Sequence, residues 1–136
     1  MSQPNILWIL TDEQRADSLG CNGAPWARTP CLDRLAAQGV NFAAACTPSP
    51  VCGSARAAML TGQSNTRLGV LNNHHHLAPE RARFLTHAFA ENGYAVASFG
   101  KHHYNCREVR AFPLEGGTVL DDRAGYTAYR VPVDEA

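Results

Sequence analysis

"NILWILTDE", residues 5–13, sets the expectation for the whole fold. Five large apolar residues, Ile6 to Leu10, follow one another without the alternation of a half-exposed strand. A strand covered on both faces of a parallel sheet reads this way. The run stops at Thr11, and two carboxylates, Asp12 and Glu13, come directly after the expected C-terminal end of the strand. In open α/β sheets that edge is where ligands bind.

Downstream, "TPCLDRLAAQG" (29–39) predicts a helix with strong punctuation: Thr29 can cap it, Pro30 fits its first turn and Gly39 can end it. "VNFAAAC" (40–46) reads as a second, weaker strand, followed by the proline-broken loop "TPSP". "GSARAAMLTG" (53–62) makes a short helix closed by Gly62. "PERARFLTHAFAENG" (79–93) sets Phe84, Leu85, Ala88 and Phe89 at helical spacing and stops at Gly93. "YAVASF" (94–99) is a third strand, ending in "GKHHY". The order strand, helix, strand, helix, helix, strand predicts an α/β protein: a partial layered fold with a mostly parallel sheet flanked by helices. Residues 105–136 are weakly patterned, with a hairpin as the one candidate element.

The 136 residues suit one domain with a real core. Twelve basic residues balance twelve acidic ones, so no whole-chain field would draw in nucleic acid or an anionic membrane. No basic segment precedes the apolar run, which is too short for a signal-peptide core or a membrane span. Five cysteines (Cys21, Cys31, Cys46, Cys52, Cys106) form no CxxC pair and predict a reducing compartment without a disulfide framework, and the lack of a signal peptide predicts a cytoplasmic setting.

Three clusters fall just after strands or at a helix start. Asp12 and Glu13 offer oxygen donors to a hard divalent cation, and equally read as a solvated acidic turn. Cys52 and Arg56 stand four residues apart, on one face of a helix. A thiol at a helix start is core filling, a reactive thiolate or the precursor of something else, and an arginine beside it can fork onto an anion. Lys101 and His103 follow the third strand, a fixed positive charge beside a proton carrier. His102 between them is expected to point away, since side chains of an extended segment alternate. Three consecutive histidines, His74 to His76, lack the helical spacing of a metal pair and read as a loop at the mouth of a polar pocket. His87 lies within a helical pattern and reads as a packing or surface residue.

Taken together, "PNILWILTDEQRADSLGCNG", "TPCLDRLAAQGVNFAAACTPSPVCGSARAAMLTGQ" and "GYAVASFGKHHY" resemble the sulfatase family, within the alkaline-phosphatase-like hydrolases. The match spans most of residues 4–104, so residues 1–136 read as the N-terminal portion of such a catalytic domain. The resemblance implies hydrolysis of organic sulfate esters by a formylglycine derived from Cys52, which occupies the cysteine of the family's C-x-P-x-R motif, with Arg56 as its arginine. In the family, one hydroxyl of the hydrated aldehyde attacks sulfur and displaces the alcohol. The other then loses its proton and expels sulfate, regenerating the aldehyde. The implied metal is a divalent ion, calcium first and magnesium or manganese next, held by Asp12, Glu13 and the modified Cys52. Lys101 and His103 match the family's G-K-x-H motif, whose lysine contacts sulfate and formylglycine and whose histidine hydrogen-bonds the formylglycine hydroxyl. The implied partners are a small-molecule sulfate ester and a formylglycine-generating enzyme.

Two residues depart from the pattern: Ser54 stands at the motif's proline, and Glu13 where Asp is commoner. Further metal ligands and the leaving-group histidine come from later segments of family members, so the 136-residue chain alone is expected to be nearly inactive. Two other readings stand beside the first. Relatives acting on phosphonate monoesters or phosphodiesters carry similar motifs, including a glycine after the cysteine, as at Gly53. A non-catalytic oxyanion-binding module would keep Cys52 as a thiol, and its exposed sheet edges would favour homo-oligomers.

Overall fold

Proline and glycine punctuation places the first helix where the sequence asks for it. In the computed structural model, which describes residues 3–98, 100–104, 106 and 111, α1 runs Pro30–Gln38, with Pro30 in its first turn and Gly39 at its C-cap. Thr29 precedes it without capping it through its side chain. The hydroxyl is used elsewhere: it accepts the Gly20 N–H at 2.9 Å and donates to Asp33 Oδ1 at 2.9 Å. Asp33 Oδ1 also accepts the Cys21 N–H at 2.7 Å. The 3-10 turn Gly20–Asn22 is thereby clamped onto the first turn of α1 by polar groups. A Cβ on Gly20 would lie 2.7 Å from Asp33 Oδ2, so the close approach needs glycine.

The chain divides into two compact units, Met1–Cys46 and Thr47–Ala136. The first holds α1, the 3-10 turns Ala16–Ser18 and Gly20–Asn22, and the apolar run Ile6 to Leu10. Ala24 is its one buried hydrophobic residue among those described. Ile6 to Leu10 are exposed, Leu7 at 85% and Ile9 at 74%. Covering such a side chain is worth about 1.5–3 kcal/mol.

No strand forms among the described residues, so the expected sheet is not seen in them. Residues 5–10 and 94–98 carry neither helix nor strand, and 40–46 holds a turn closed by Ala45 N–H on the Phe42 carbonyl at 3.1 Å. A strand exists through its ladder partners, and none of the three segments meets one among the described residues. Phe99 and the weakly patterned stretch, apart from Cys106 and Ala111, lie outside them.

The second unit has a core. α2 (Cys52–Thr61) buries Gly53, Ser54, Ala55, Arg56, Ala57, Ala58 and Leu60, and stops at Gly62 in the left-handed region (φ 67°). α3 (Asn65–Leu68) follows, capped by the Ser64 hydroxyl and ended by Gly69 at φ 74°. The helix expected over 79–93 is two pieces, a 3-10 turn at Pro79–Arg81 and α4 (Leu85–Glu91). Phe84 breaks it. Its backbone is extended (φ −90°, ψ 149°), which drives its ring into the core edge-on to Tyr104, with centroids 5.1 Å apart. Leu68, Val70, Leu77, Ala82, Cys106 and Ala111 complete this cluster with Ala57, Ala58 and Leu60 of α2. Tyr104 Oη accepts the Ala111 N–H at 3.2 Å, and the Thr86 hydroxyl donates to the Ala111 carbonyl. Among the described residues no helix is long and apolar enough to cross a membrane.

Candidate functional site

Small residues let α2 sink into the second unit, and this sets Cys52 at the helix start. Its thiol is free and half-buried. Val51, the N-cap, contributes no side-chain hydrogen bond, which leaves the first helical N–H groups in need of acceptors. One acceptor comes from twenty residues away: Asn73 Oδ1 takes the Gly53 N–H at 2.9 Å. Both ends of this amide reach the thiol: Nδ2 stands 3.4 Å from Cys52 Sγ, and the thiol donates to Oδ1 at 3.6 Å.

One turn along the helix, Arg56 is only 9% exposed. Its Nη1 donates to the backbone carbonyl of Lys101 at 2.6 Å. A buried guanidinium costs several kcal/mol to desolvate unless its donors are met, so this bond fixes both ends. It brings the Cys52–Arg56 helix and the Gly100–Tyr104 segment together, two of the three clusters picked out in the sequence. Within α2, the Ser54 carbonyl accepts from Asn65 Nδ2 at 2.6 Å. The Ser54 hydroxyl and Asn65 Oδ1 are buried with no hydrogen-bond partner among the described residues.

His103 takes φ 43°, and Glu13 in the first unit takes φ 54°. Among the described residues these are the two non-glycine positions with positive φ, a conformation that costs about 1–2 kcal/mol. Both had been picked out in the sequence as site residues, and strained backbone gathers at functional positions. The strain also explains a misread neighbour. The alternation of an extended segment fails when residue 103 is left-handed, and Lys101, His102 and His103 are all half-buried. The His102 ring Nε2 lies 3.0 Å from the Ser98 hydroxyl. Burial first, and the Arg56 charge second, hold its pKa below the usual histidine range.

Asp12 and Glu13 are exposed and belong to the first unit. Two adjacent carboxylates suit a hard cation by donor type. Among the described residues no group of three or more His, Cys, Asp or Glu gathers as a metal site, the histidine run included. His75 folds back on its own loop, its Nδ1 3.2 Å from the Leu71 N–H. Asn72 Oδ1 accepts the His74 and His75 N–H groups at 2.9 and 3.2 Å. His87 packs against the Phe84 ring, with centroids 5.4 Å apart, in keeping with a packing role. Asn73 was missed. Its signal was an asparagine beside the conspicuous histidines, but long-range capping leaves no local pattern.

The chain is similar to known proteins. The sulfatase family model matches residues 4–130. An ulvan-active sulfatase of Formosa agariphila is 40% identical over 111 residues, covering 82% of this chain and 22% of its own length. An arylsulfatase of Clostridium perfringens is 36% identical over 101 residues (74% and 21%). An N-acetylgalactosamine-6-sulfatase of Canis lupus familiaris is 33% identical over 126 residues (84% and 24%). The chain thus spans between a fifth and a quarter of the length of these relatives. No solved structure gives a significant match.

Proposed function

The chain belongs to the sulfatase family, and from that premise we propose that it carries the nucleophile segment of a hydrolase of organic sulfate esters, with Cys52 as the residue converted to formylglycine. Family membership implies an alkaline-phosphatase-like α/β fold. The observation that carries the functional reading is the Arg56 bond to the Lys101 carbonyl. It ties the helix that starts at Cys52 to the segment bearing Lys101 and His103.

The half-buried place of Cys52, with a side-chain amide against its sulfur, fits a hydroxylated side chain, which needs polar partners. The hydrated aldehyde supplies a hydroxyl nucleophile and a second hydroxyl through which sulfate is released. Lys101 offers a fixed positive charge to a sulfate oxygen. Arg56, held by the Lys101 carbonyl, orients that segment and adds positive charge beside the nucleophile. His103 exchanges a proton with the nucleophile's hydroxyl. His102, kept neutral by burial and by Arg56, adds no charge that would compete for the anion. Asp12 and Glu13 are the oxygen donors this chain offers to a divalent cation, with calcium as the first choice. When bound, such an ion supplies Lewis-acid polarisation of sulfate oxygens.

Peptide mass spectrometry across Cys52, after expression with a formylglycine-generating enzyme, tests the reading. Conversion lowers the peptide mass by about 18 Da, the signature of the aldehyde nucleophile. A thiol retained beside a converted control protein removes the nucleophile and leaves an oxyanion-binding role. Gly53 favours a second reading, hydrolysis of phosphonate monoesters or phosphodiesters. Relative rates on matched aryl sulfate and aryl phosphonate esters separate the two.

A further inference from the structure

The side chain that meets Cys52 comes from the loop after α3, and its chemistry is directional. We propose that Asn73 is a positioning residue for the nucleophile, one amide holding the backbone of residue 53 and the side chain of residue 52 together. This rests on the reading of Cys52 as the nucleophile's position.

Asn73 Oδ1 accepts the Gly53 N–H at 2.9 Å, and Nδ2 stands 3.4 Å from Cys52 Sγ. An amide can be turned over in principle, which would exchange its oxygen and nitrogen. Here the reverse orientation would set an NH2 against the Gly53 N–H, donor facing donor. The backbone therefore fixes the orientation of the amide, which sets its donor 3.4 Å from Cys52 Sγ and its oxygen 3.6 Å away, where the thiol S–H donates to it.

The loop is built to hold this amide still. Asn72 Oδ1 closes a turn on the N–H groups of His74 and His75. The His75 ring returns to the Leu71 N–H. Leu77 and Val70 anchor the two sides of the loop in the core, both fully buried. A helix start needs an acceptor, and a cap alone would use only the oxygen. The nitrogen has no part in capping, and it lies on the side chain that reacts. Once a hydroxyl stands where the sulfur is, the same N–H donates to it. This restricts its rotation and favours its ionised form.

The test uses the thiol form of the chain, made in a host without a converting enzyme, so its result does not depend on whether Cys52 is ever converted. Alkylation by iodoacetamide at pH 8 is followed at each cysteine by peptide mass spectrometry, with exposed Cys21 and Cys31 as internal controls. Asn73→Asp keeps the oxygen that caps Gly53 and replaces the donor by a negative charge. Cys52 should then react at least about fivefold more slowly, as repulsion between unit charges about 4 Å apart gives even in water. Its urea midpoint should stay at or above that of wild type. Asn73→Ala removes both contacts, so it should slow Cys52 about two- to tenfold and lower the midpoint. Rates at Cys21 and Cys31 should not move. Cys52 reacting at the wild-type rate in Asn73→Asp, with the fold intact, would overturn the proposal and leave Asn73 as a helix cap only. The separate 18 Da measurement decides the fate of Cys52 itself.

Discussion

Replacing Arg56 by methionine tests the joint that assembles the site. The change keeps an apolar stem of similar reach and deletes a buried, charged donor. Arg56 donates to the Lys101 carbonyl at 2.6 Å, and a hydrogen bond made by a charged group is worth about 1.5–3 kcal/mol. Two effects pull the net value down. The guanidinium no longer has to be desolvated, and Lys101 is half-buried, so water can reach the freed carbonyl. The expected loss is about 1–2 kcal/mol, near the low end of that range. Urea unfolding followed by far-ultraviolet circular dichroism should show a midpoint lower by about 1 M, for a slope near 1–2 kcal/mol/M. The bond is to main chain, so Lys101→Ala should cost less than Arg56→Met. A midpoint for Arg56→Met within error of wild type would refute the claim that this guanidinium holds the Gly100–Tyr104 segment. A larger loss from Lys101→Ala would show that the side chain, not the carbonyl, makes the joint.

Three further outcomes are expected. His102 has a folded-state pKa below its unfolded value, because burial and then Arg56 disfavour its charged form. Its contribution to stability is therefore fully present above about pH 6.5, the unfolded value, and is lost as pH falls below that. Imidazole NMR should place its midpoint below the usual range and move it upward in Arg56→Met; a normal midpoint in the wild type would contradict its half-buried place beside Arg56. Gly20→Ala forces a Cβ within 2.7 Å of the Asp33 carboxylate. It should open the clamp on α1 at a cost of about 1–3 kcal/mol, read as faster amide exchange at Gly20 and Cys21, and unchanged exchange would count against it. Ser54→Ala removes a fully buried hydroxyl that has no partner among the described residues, so stability should hold or rise by up to about 1 kcal/mol. A clear loss on denaturant titration would mean that the hydroxyl is bonded.

Local chemistry was legible where it was self-contained. Pro30, Gly39 and Gly62 marked helix ends through backbone preferences that need no tertiary partner. The Cys52–Arg56 spacing on one helix turn was equally plain. Elements that depend on distant groups were not. Periodicity ran one helix through Phe84, whose backbone turned extended so that its ring could meet Tyr104. Ile6 to Leu10 have the composition of a buried strand, and the partners that would make one do not stand beside them among the described residues. Thr29 was read as a cap and spends its hydroxyl on Gly20 and Asp33 instead. Asn73 acts across twenty residues through a loop whose histidines drew the attention.

The small side chains of α2 also bear on how such a protein can change over generations. Gly53, Ser54, Ala55, Ala57 and Ala58 are all buried, so a bulkier residue at any of them must displace its neighbours. Each such replacement costs about 1–3 kcal/mol against a typical total of 5–15. Two or three together would leave little folded protein for selection to act on. The helix bearing Cys52 is thus a poor place for variation to accumulate. Surface loops tolerate substitution and lengthening at a cost that grows only slowly with length. A lineage that acquires a new ligand would therefore be expected to do so by varying its loops around an α2 that scarcely drifts.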